Sequence, residues 1–266
     1  MSGRVRLDVL LVERGLAPTR AKAQAMLLAG LVTTGERRLD KPGALVPRDL
    51  PLAVAPGRRY VGRGAGKLAP ALVRFGVDAA GRAALDVGAS TGGFTQVLLE
   101  AGASAVMALD VGRGQLDWSL RNDPRVVVVD GVNARFLTPS LLPSVPSLAV
   151  IDVSFISLRQ VLKGVCACLA PGADVIALVK PQFEVGRERV GKHGIVSDKA
   201  AWDDVLVSLT GFAREHGLGP RAIARSAVRG ATGNVEFFLH LRPGGGPAAA
   251  ELLDADRRAA VDGEEA

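Results

Sequence analysis

The feature that most constrains this sequence is a regular alternation of short apolar runs and helix-like segments between residues 61 and 243. The first five runs predict strands at Ala83–Val87, Ala105–Leu109, Val126–Val129, Leu148–Ile151 and Val175–Val179. Two further strands are predicted near Ala222–Ser226 and at Val235–Leu241. Apolar strands that alternate with helices indicate a parallel sheet covered on both faces, so we expect an α/β fold with a seven-stranded sheet.

Polar residues lie within or directly after five of these strands. They are Asp86, Asp110, Asp130, Asp152 and Lys180. In open α/β sheets, ligands bind beyond the carboxyl ends of the strands. The sequence therefore predicts that a binding site lies at this edge of the sheet.

A glycine-rich turn follows the first of these strands, in the segment Leu85-Asp-Val-Gly-Ala-Ser-Thr-Gly-Gly-Phe-Thr95. Gly88, Gly92 and Gly93 allow a tight turn and a close approach of the backbone to a ligand. The helix that begins here adds free N–H donors. The glycine spacing does not match the G-x-G-x-x-G fingerprint, and no P-loop lysine follows, which disfavours a dinucleotide or a nucleoside triphosphate as ligand.

The pattern D-x-G-x-x-x-G-G-F/W-T/S resembles that of the class I methyltransferases, Rossmann-like enzymes that use S-adenosylmethionine. The resemblance implies a cofactor site made of Asp86, Gly88, Ser90, Thr91, Gly92, Gly93, Phe94, Asp110 and Asp130. The loop would receive the methionine part, Asp110 the ribose hydroxyls and Asp130 the adenine amino group. Three alternatives stay open, namely that the loop is an ordinary strand-to-helix turn, that Asp110 and Asp130 are plain strand-end caps, and that Phe94 belongs to the core.

Four charged side chains stand in unusual sequence contexts. Lys67 precedes an apolar helix, Asp152 and Lys180 follow apolar strands, and Glu236 interrupts an apolar run. A charge directly after a buried strand is costly unless it is paired or functional. A lysine near carboxylates at the open end of a sheet is a candidate base or proton shuttle. A structural ion-pair network is the alternative interpretation.

The N-terminal quarter carries the basic excess of the chain. Residues 1–63 hold 12 Lys and Arg against 5 Asp and Glu, whereas the remaining residues hold 21 against 22. Such a concentrated charge favours a polyanionic partner, either nucleic acid or an anionic membrane surface. Leucines at helical spacing end at Gly15, and a second helix is predicted from Thr19 to about Ala29.

These segments, LDVLLVERG, TRAKAQAML and AGLVTTG, resemble the small α+β S4 RNA-binding fold. The resemblance implies RNA contacts from Arg4, Arg6, Arg20, Lys22 and Lys41. We add three arginines near the end of this region, Arg58, Arg59 and Arg63. Ordinary solvated surface charges are the alternative.

Taken in order, Lys67, Asp152, Lys180 and Glu236 resemble the K-D-K-E tetrad of the FtsJ-like ribose 2′-O-methyltransferases. With an S4-like unit in front, the whole chain resembles the TlyA family, whose members often carry the name hemolysin. The resemblance implies methylation of cytidine 2′-hydroxyls in 16S and/or 23S rRNA within assembled 30S and/or 50S subunits, with Lys180 deprotonating or orienting the hydroxyl. Tyr60 stands where that family has a linker tryptophan.

The expected domains are an S4-like RNA-binding unit at 1–57, a linker at 58–62, a methyltransferase domain at 63–243 and a disordered acidic tail at 244–266. No apolar stretch reaches the ~18 residues of a membrane span. The two cysteines form a C-x-C that is too close for an ordinary structural disulfide, so we expect a cytoplasmic protein. Two cysteines and three unclustered histidines predict no metal site. The competing hypotheses are a non-catalytic S4-type RNA-binding or ribosome-assembly factor and a membrane-lytic protein.

Overall fold

The computed structural model describes residues 4–28, 30–35, 37–54 and 60–264, with the backbone alone described at Ala25. It divides into two compact units, Met1–Arg59 and Tyr60–Ala266. Arg58 and Arg59, which the sequence predicts to contact RNA, lie outside the described residues. Residues 60–62 of the predicted linker are described, and Tyr60 packs against the core of the larger unit.

The N-terminal unit combines two short helices with two small antiparallel sheets. Its elements are β1 (Arg4–Arg6), α1 (Leu7–Glu13), α2 (Arg20–Leu28), β2 (Val32–Thr34), β3 (Arg37–Arg38), β4 (Leu45–Pro47) and β5 (Ala53–Val54). Thr19 Oγ1 accepts a hydrogen bond from the Lys22 N–H at 3.2 Å and so caps α2. Leu7, Leu11 and Leu27 form the centre of a small apolar core.

The larger unit contains a seven-stranded sheet and six helices. Its elements are α3 (Ala65–Phe75), β6 (Ala83–Val87), α4 (Gly93–Glu100), β7 (Ala105–Asp110), α5 (Trp118–Arg121), β8 (Val126–Asp130), β9 (Leu148–Ile151), α6 (Arg159–Ala167), β10 (Asp174–Val179), α7 (Lys199–Glu215), β11 (Pro220–Arg225), β12 (Phe237–Leu241) and α8 (Ala250–Asp262). The strand order is β11-β12-β10-β9-β6-β7-β8. Buried apolar clusters lie on both faces of the sheet, as the alternation predicts.

One strand departs from the parallel sheet that we expected. β12 runs antiparallel to both of its neighbours, β10 and β11, while the pairs among β6 to β10 are parallel. The connection from β11 to β12 spans only residues 226–236, without a helix. A parallel crossover needs a dozen or more residues, usually including a helix, so this short connection reverses the chain instead.

The predicted disordered tail is wrong for residues 250–262, which form α8. Leu253, Ala260 and Val261 are buried, at the spacing of one helical face. Asp256 Oδ2 also accepts a hydrogen bond from the Ile223 N–H of β11 at 3.2 Å. Because β11 lies at the edge of the sheet, a helix over it protects apolar surface and backbone groups that a mobile tail would leave exposed.

A buried carboxylate links several strands at the edge of the sheet opposite the predicted site. Asp174, at the start of β10, is 5% exposed. Its Oδ1 atom lies 2.9 Å from His240 Nε2 and 2.8 Å from Arg242 Nη2, and its Oδ2 atom lies 2.9 Å from Arg82 Nη1. The Arg82 guanidinium also donates to the carbonyl of Ser147, just before β9. These hydrogen bonds from His240, Arg242 and Arg82 hold the pKa of Asp174 well below its usual range, against the opposing effect of burial.

Candidate active site

The four charged residues singled out in the sequence line one cavity of about 690 Å³ at the carboxyl ends of β6, β9 and β10. Lys67, Asp152, Lys180 and Glu236 come from four separate segments of the chain. Gly88 and other residues of the glycine-rich loop line the same cavity. The structure therefore brings together groups that are as much as 169 positions apart in the chain.

Two short ion pairs organise the charges in this cavity. Lys180 Nζ lies 2.5 Å from Asp152 Oδ1 and donates to Ser154 Oγ at 2.8 Å. Lys67 Nζ lies 2.6 Å from Glu236 Oε2, and both side chains are at most 10% exposed. Each amine is thus fixed by one carboxylate, which lowers the entropic cost of presenting it to a substrate.

Glycines give the charged groups the room they occupy. Gly88 has φ +86°, and a Cβ there would lie 2.4 Å from the backbone oxygen of Asp152. The Asp152 N–H in turn donates to the Val87 carbonyl at 2.9 Å. At Gly230, a Cβ would lie 2.4 Å from Glu236 Oε1. Any larger residue at either position would displace the Asp152 backbone or the Glu236 carboxylate.

A second cavity of about 580 Å³ continues on the other side of the loop, sharing Gly88, Ser90, Asp152, Ser154 and Phe155 with the first. Asp110, at the end of β7, lines it. The Asp110 carboxylate accepts the Ser90 N–H at 2.8 Å and the Gly112 N–H at 2.7 Å. Its remaining lone pairs are available to the paired hydroxyls of a ribose.

The other predicted cofactor residues divide into two groups. Those that line the first cavity are Gly88, Ser90, Thr91, Gly93 and Phe94. Asp86, Gly92 and Asp130 are absent from the described lining of both cavities. A Cβ at Gly92 would instead meet the side chains of Leu116 and Leu120. A glycine is thus required at position 92 so that the loop can pack against these leucines.

Asp86 supports the loop from beneath, which corrects its predicted contact with the cofactor. Its side chain is fully buried, and Thr95 Oγ1 donates to Asp86 Oδ2 at 2.6 Å, joining β6 to α4. Burial raises the pKa of Asp86 to about 7.

Asp130 lies at the end of β8, where its Oδ2 atom accepts from the Gly114 N–H at 3.0 Å and from Arg121 Nη2 at 2.7 Å. These two contacts, the backbone one above all, lower the pKa of Asp130. The nearby residues Val132 and Asn133 line the second cavity. A contact from Asp130 to adenine stays a prediction.

Sequence reasoning missed two aromatic residues of the first cavity, Phe155 and Phe183. Phe155 is 90% exposed with φ +63°, and its ring centroid lies 5.1 Å from that of Phe183. Glu184 accepts hydrogen bonds from Ser157 Oγ and from the Leu158 N–H, both at 2.7 Å, and so anchors the segment after Phe155. The available signal was a phenylalanine three positions after the strand-end aspartate Asp152, in a polar turn.

The glycine-rich segment after Lys180 also contributes to the first cavity, through Val190, His193 and Gly194. His193 adopts φ +60°, a left-handed conformation that is uncommon for histidine. Arg63, predicted to bind RNA, lines this cavity as well. A nucleotide that enters the cavity would therefore meet both aromatic and basic groups.

The remaining predicted RNA-binding residues belong to the N-terminal unit. Arg6 and Arg20 both contact the carboxylate of Asp8. Arg4 and Lys41 are exposed, and Lys22 is half-buried. Lys41 precedes a turn in which the Pro42 carbonyl accepts the Asp8 N–H at 3.1 Å. Arg6, Arg20 and the Lys41 turn thus converge around one buried acid.

Within the described ranges, no helix is both long and apolar enough to cross a bilayer. The same residues contain no group of three or more His, Cys, Asp or Glu side chains that could hold a metal ion.

Comparisons with known proteins agree with this geometry. Residues 60–243 match the FtsJ-like methyltransferase family, so the fold and site define a methyltransferase. Residues 5–49 match the S4 domain. A Bacillus subtilis protein named "Putative rRNA methyltransferase YqxC" is 49% identical over 258 residues, which cover 96% of this chain and 92% of that protein.

A Mycobacterium tuberculosis protein, "16S/23S rRNA (cytidine-2'-O)-methyltransferase TlyA", is 46% identical over 91% of each chain. The chain belongs to the TlyA family, with an S4 domain in front of an FtsJ-like methyltransferase domain. A solved structure, "Putative hemolysin from Streptococcus thermophilus", superposes with TM-score 0.73 and 39% identity, covering 98% of this chain and 97% of the other. Family and fold together imply the use of S-adenosylmethionine.

Asp110→Ala is expected to weaken the binding of S-adenosylmethionine about 10–100-fold, because charge-assisted hydrogen bonds to the ribose are lost. Isothermal titration calorimetry of the full chain measures this change. Asp123→Asn is the matched control, since Asp123 pairs with Arg125 and lies outside both cavities. Equal affinity of the Asp110→Ala variant and the wild type would contradict the assignment.

Proposed function

We propose that this protein methylates cytidine 2′-hydroxyls of 16S and/or 23S rRNA within ribosomal subunits, with S-adenosylmethionine as methyl donor. The observation that carries the proposal is the convergence of two lysine–carboxylate pairs on one cavity beside the glycine-rich loop. The names of the relatives from B. subtilis and M. tuberculosis support rRNA as the substrate class. The S4 match supports recognition of RNA by the N-terminal unit.

The residues present fit S-adenosylmethionine by their chemistry. Asp110 offers carboxylate oxygens for the ribose hydroxyls, and the first turn of α4 offers N–H groups for the methionine carboxylate. Ser90 and Gly88 line both cavities and so join the two binding regions. When bound, the cofactor supplies a methyl group on a sulfonium, which the attacking oxygen takes as S-adenosylhomocysteine leaves.

Lys180 deprotonates or orients the 2′-hydroxyl. In its neutral form, Nζ accepts the hydroxyl proton; as an ammonium, it donates to the hydroxyl oxygen and directs a lone pair towards the methyl group. Asp152 and Ser154 fix Nζ at 2.5 and 2.8 Å, so either role begins from a defined position. Lys67, held by Glu236, adds a second positive charge that stabilises negative charge developing on the oxygen.

Phe155 offers a flat apolar surface at the same cavity. Proteins that act on single nucleotides hold an unstacked base against aromatic side chains. We assign Phe155 this contact with the target base, while the ribose lies towards Lys180.

Transfer of labelled methyl groups from S-adenosylmethionine to ribosomal subunits tests the function. We choose 30S and 50S subunits purified from B. subtilis lacking its own relative, because these are expected to be unmodified at the target sites. Primer-extension stops at low nucleotide concentration then locate each 2′-O-methyl group. Label in rRNA with a discrete stop is the expected result, whereas binding of subunits without transfer would indicate a non-catalytic assembly factor.

A further inference from the structure

An acidic residue lies at the centre of the basic N-terminal unit. The side chain of Asp8, in the first turn of α1, is 0% exposed. Arg6 donates to it twice, through Nε to Oδ1 and through Nη2 to Oδ2, both at 3.0 Å. Arg20 Nε and Gln24 Nε2 donate to Oδ2 at 2.9 and 2.8 Å. One carboxylate thus gathers three side chains from β1 and α2.

The two arginines retain donors that face solvent. A guanidinium has five N–H groups, of which Asp8 takes two from Arg6 and one from Arg20. The side chains of Arg6 and Arg20 remain 44% and 54% exposed. Each guanidinium is therefore fixed on its inner side and open to a ligand on its outer side.

The backbone of Asp8 is hydrogen-bonded to the turn that follows Lys41, a third cationic residue. The Asp8 N–H donates to the Pro42 carbonyl, and the Ala44 N–H donates to the Lys41 carbonyl at 3.0 Å, which closes the turn. A Cβ at Gly43 would lie 3.4 Å from Arg6 Nη1. The turn that follows Lys41 therefore packs against the arginine that Asp8 holds.

We propose that Asp8 is a positioning residue for rRNA binding, which holds Arg6 and Arg20 so that their free N–H groups meet phosphate oxygens. The inference rests on the function proposed above and specifies how the S4 domain contributes to it. Long arginine side chains lose rotamer freedom when they bind phosphate, and a buried carboxylate that orders them in advance removes much of that cost.

The proposal predicts that loss of the Asp8 charge changes the Kd for subunits in the direction opposite to the one that long-range electrostatics predicts. Asp8→Asn removes a negative charge from a surface that binds a polyanion, so long-range attraction alone would tighten binding. If Asp8 acts by positioning, the same change weakens binding, because an amide does not hold two guanidinium groups. The direction of the change in Kd therefore separates the two explanations.

The experiment uses the full chain with Asp8→Asn and the B. subtilis subunits described above. We expect the Kd and the KM for subunits to rise about tenfold, while kcat changes less than twofold. The slope of log Kd against log salt concentration falls by about 1–2, as phosphate contacts of Arg6 and Arg20 are lost. A merely structural loss would lower the folded fraction, and with it the apparent kcat, without changing this slope.

Glu13→Gln is the matched control, because it removes the same charge from the same helix. Glu13 forms a solvent-exposed ion pair with Arg48, and their side chains are 40% and 58% exposed. The Kd of Glu13→Gln should therefore stay within twofold of wild type or fall. Arg20→Lys covers the case in which Asp8→Asn does not fold, since this exposed change keeps the charge but removes the Nε donor to Asp8. We expect it to raise Kd severalfold.

Wild-type or tighter binding by Asp8→Asn, or by Arg20→Lys if Asp8→Asn does not fold, would overturn the role of Asp8. That result would leave the proposed function intact, provided that the wild type still methylates the subunits. Failure of the wild type to bind or methylate either subunit would instead refute the function itself.

Discussion

Lys180→Ala is expected to abolish methyl transfer, lowering kcat by at least about 10³-fold. Lys180 is the amine fixed by both Asp152 and Ser154, and its loss removes the group that we propose acts on the attacking hydroxyl. Affinity for S-adenosylmethionine should stay within a few-fold, because Asp110 and most of the glycine-rich loop are untouched. Single-turnover transfer and calorimetry on the same preparation measure the two quantities.

Two comparison variants sharpen this result. Lys199→Ala removes an exposed lysine that pairs with Asp262 on the surface, and it should retain wild-type turnover. Lys180→Arg keeps the positive charge but cannot accept a proton at neutral pH. Inactivity equal to that of Lys180→Ala would favour deprotonation, whereas activity within about 100-fold of wild type would favour orientation. Wild-type turnover by Lys180→Ala would refute any catalytic role.

Asp174→Asn is expected to destabilise the methyltransferase domain by about 3 kcal/mol, because it removes the one carboxylate that Arg82, His240 and Arg242 share. The corresponding fall in Tm is about 6–12 °C for a domain of this size. Differential scanning calorimetry measures it. Asp262→Asn, which breaks the exposed pair with Lys199, should cost less than about 1 kcal/mol.

The pH dependence of stability gives an independent measure of the same group. Because the pKa of Asp174 is lowered in the folded state, its contribution is fully present above the unfolded value of about 4. That contribution is lost as the pH falls through the lower folded value. The difference in Tm between wild type and Asp174→Asn should therefore be constant above about pH 5 and shrink below about pH 4. A difference that grows on acidification would contradict this account.

The sequence predicts that several of these groups meet at one edge of the sheet, because they follow parallel strands. Asp110, Asp152 and Lys180 each follow an apolar strand, and parallel strands place their carboxyl ends at one edge. Lys67 and Glu236 lie in other contexts, so the family resemblance was needed to connect them with the rest. The structure shows that this grouping is also electrostatic, since each lysine is paired with one carboxylate.

The failures have physical causes that local patterns do not reveal. The acidic composition of the tail suggested disorder. Packing against β11 at the edge of the sheet stabilises α8, and the local composition does not reveal that packing. Asp86 has the position of a ligand contact, yet Thr95 draws it inward. No pattern in the sequence singles out Asp8, because Arg20 and Gln24, which lie 12 and 16 positions away, become its neighbours only when the unit folds.

A single strand, β10, begins at Asp174 and leads directly into Lys180. At ~3.3 Å per residue, the Asp174 carboxylate group and the Lys180 amine belong to residues roughly 20 Å apart, a distance at which substitutions act independently. A change at Lys180 should therefore leave the stability that Asp174 provides intact, and a loss of stability at Asp174 should be reparable without altering the cavity around Lys180.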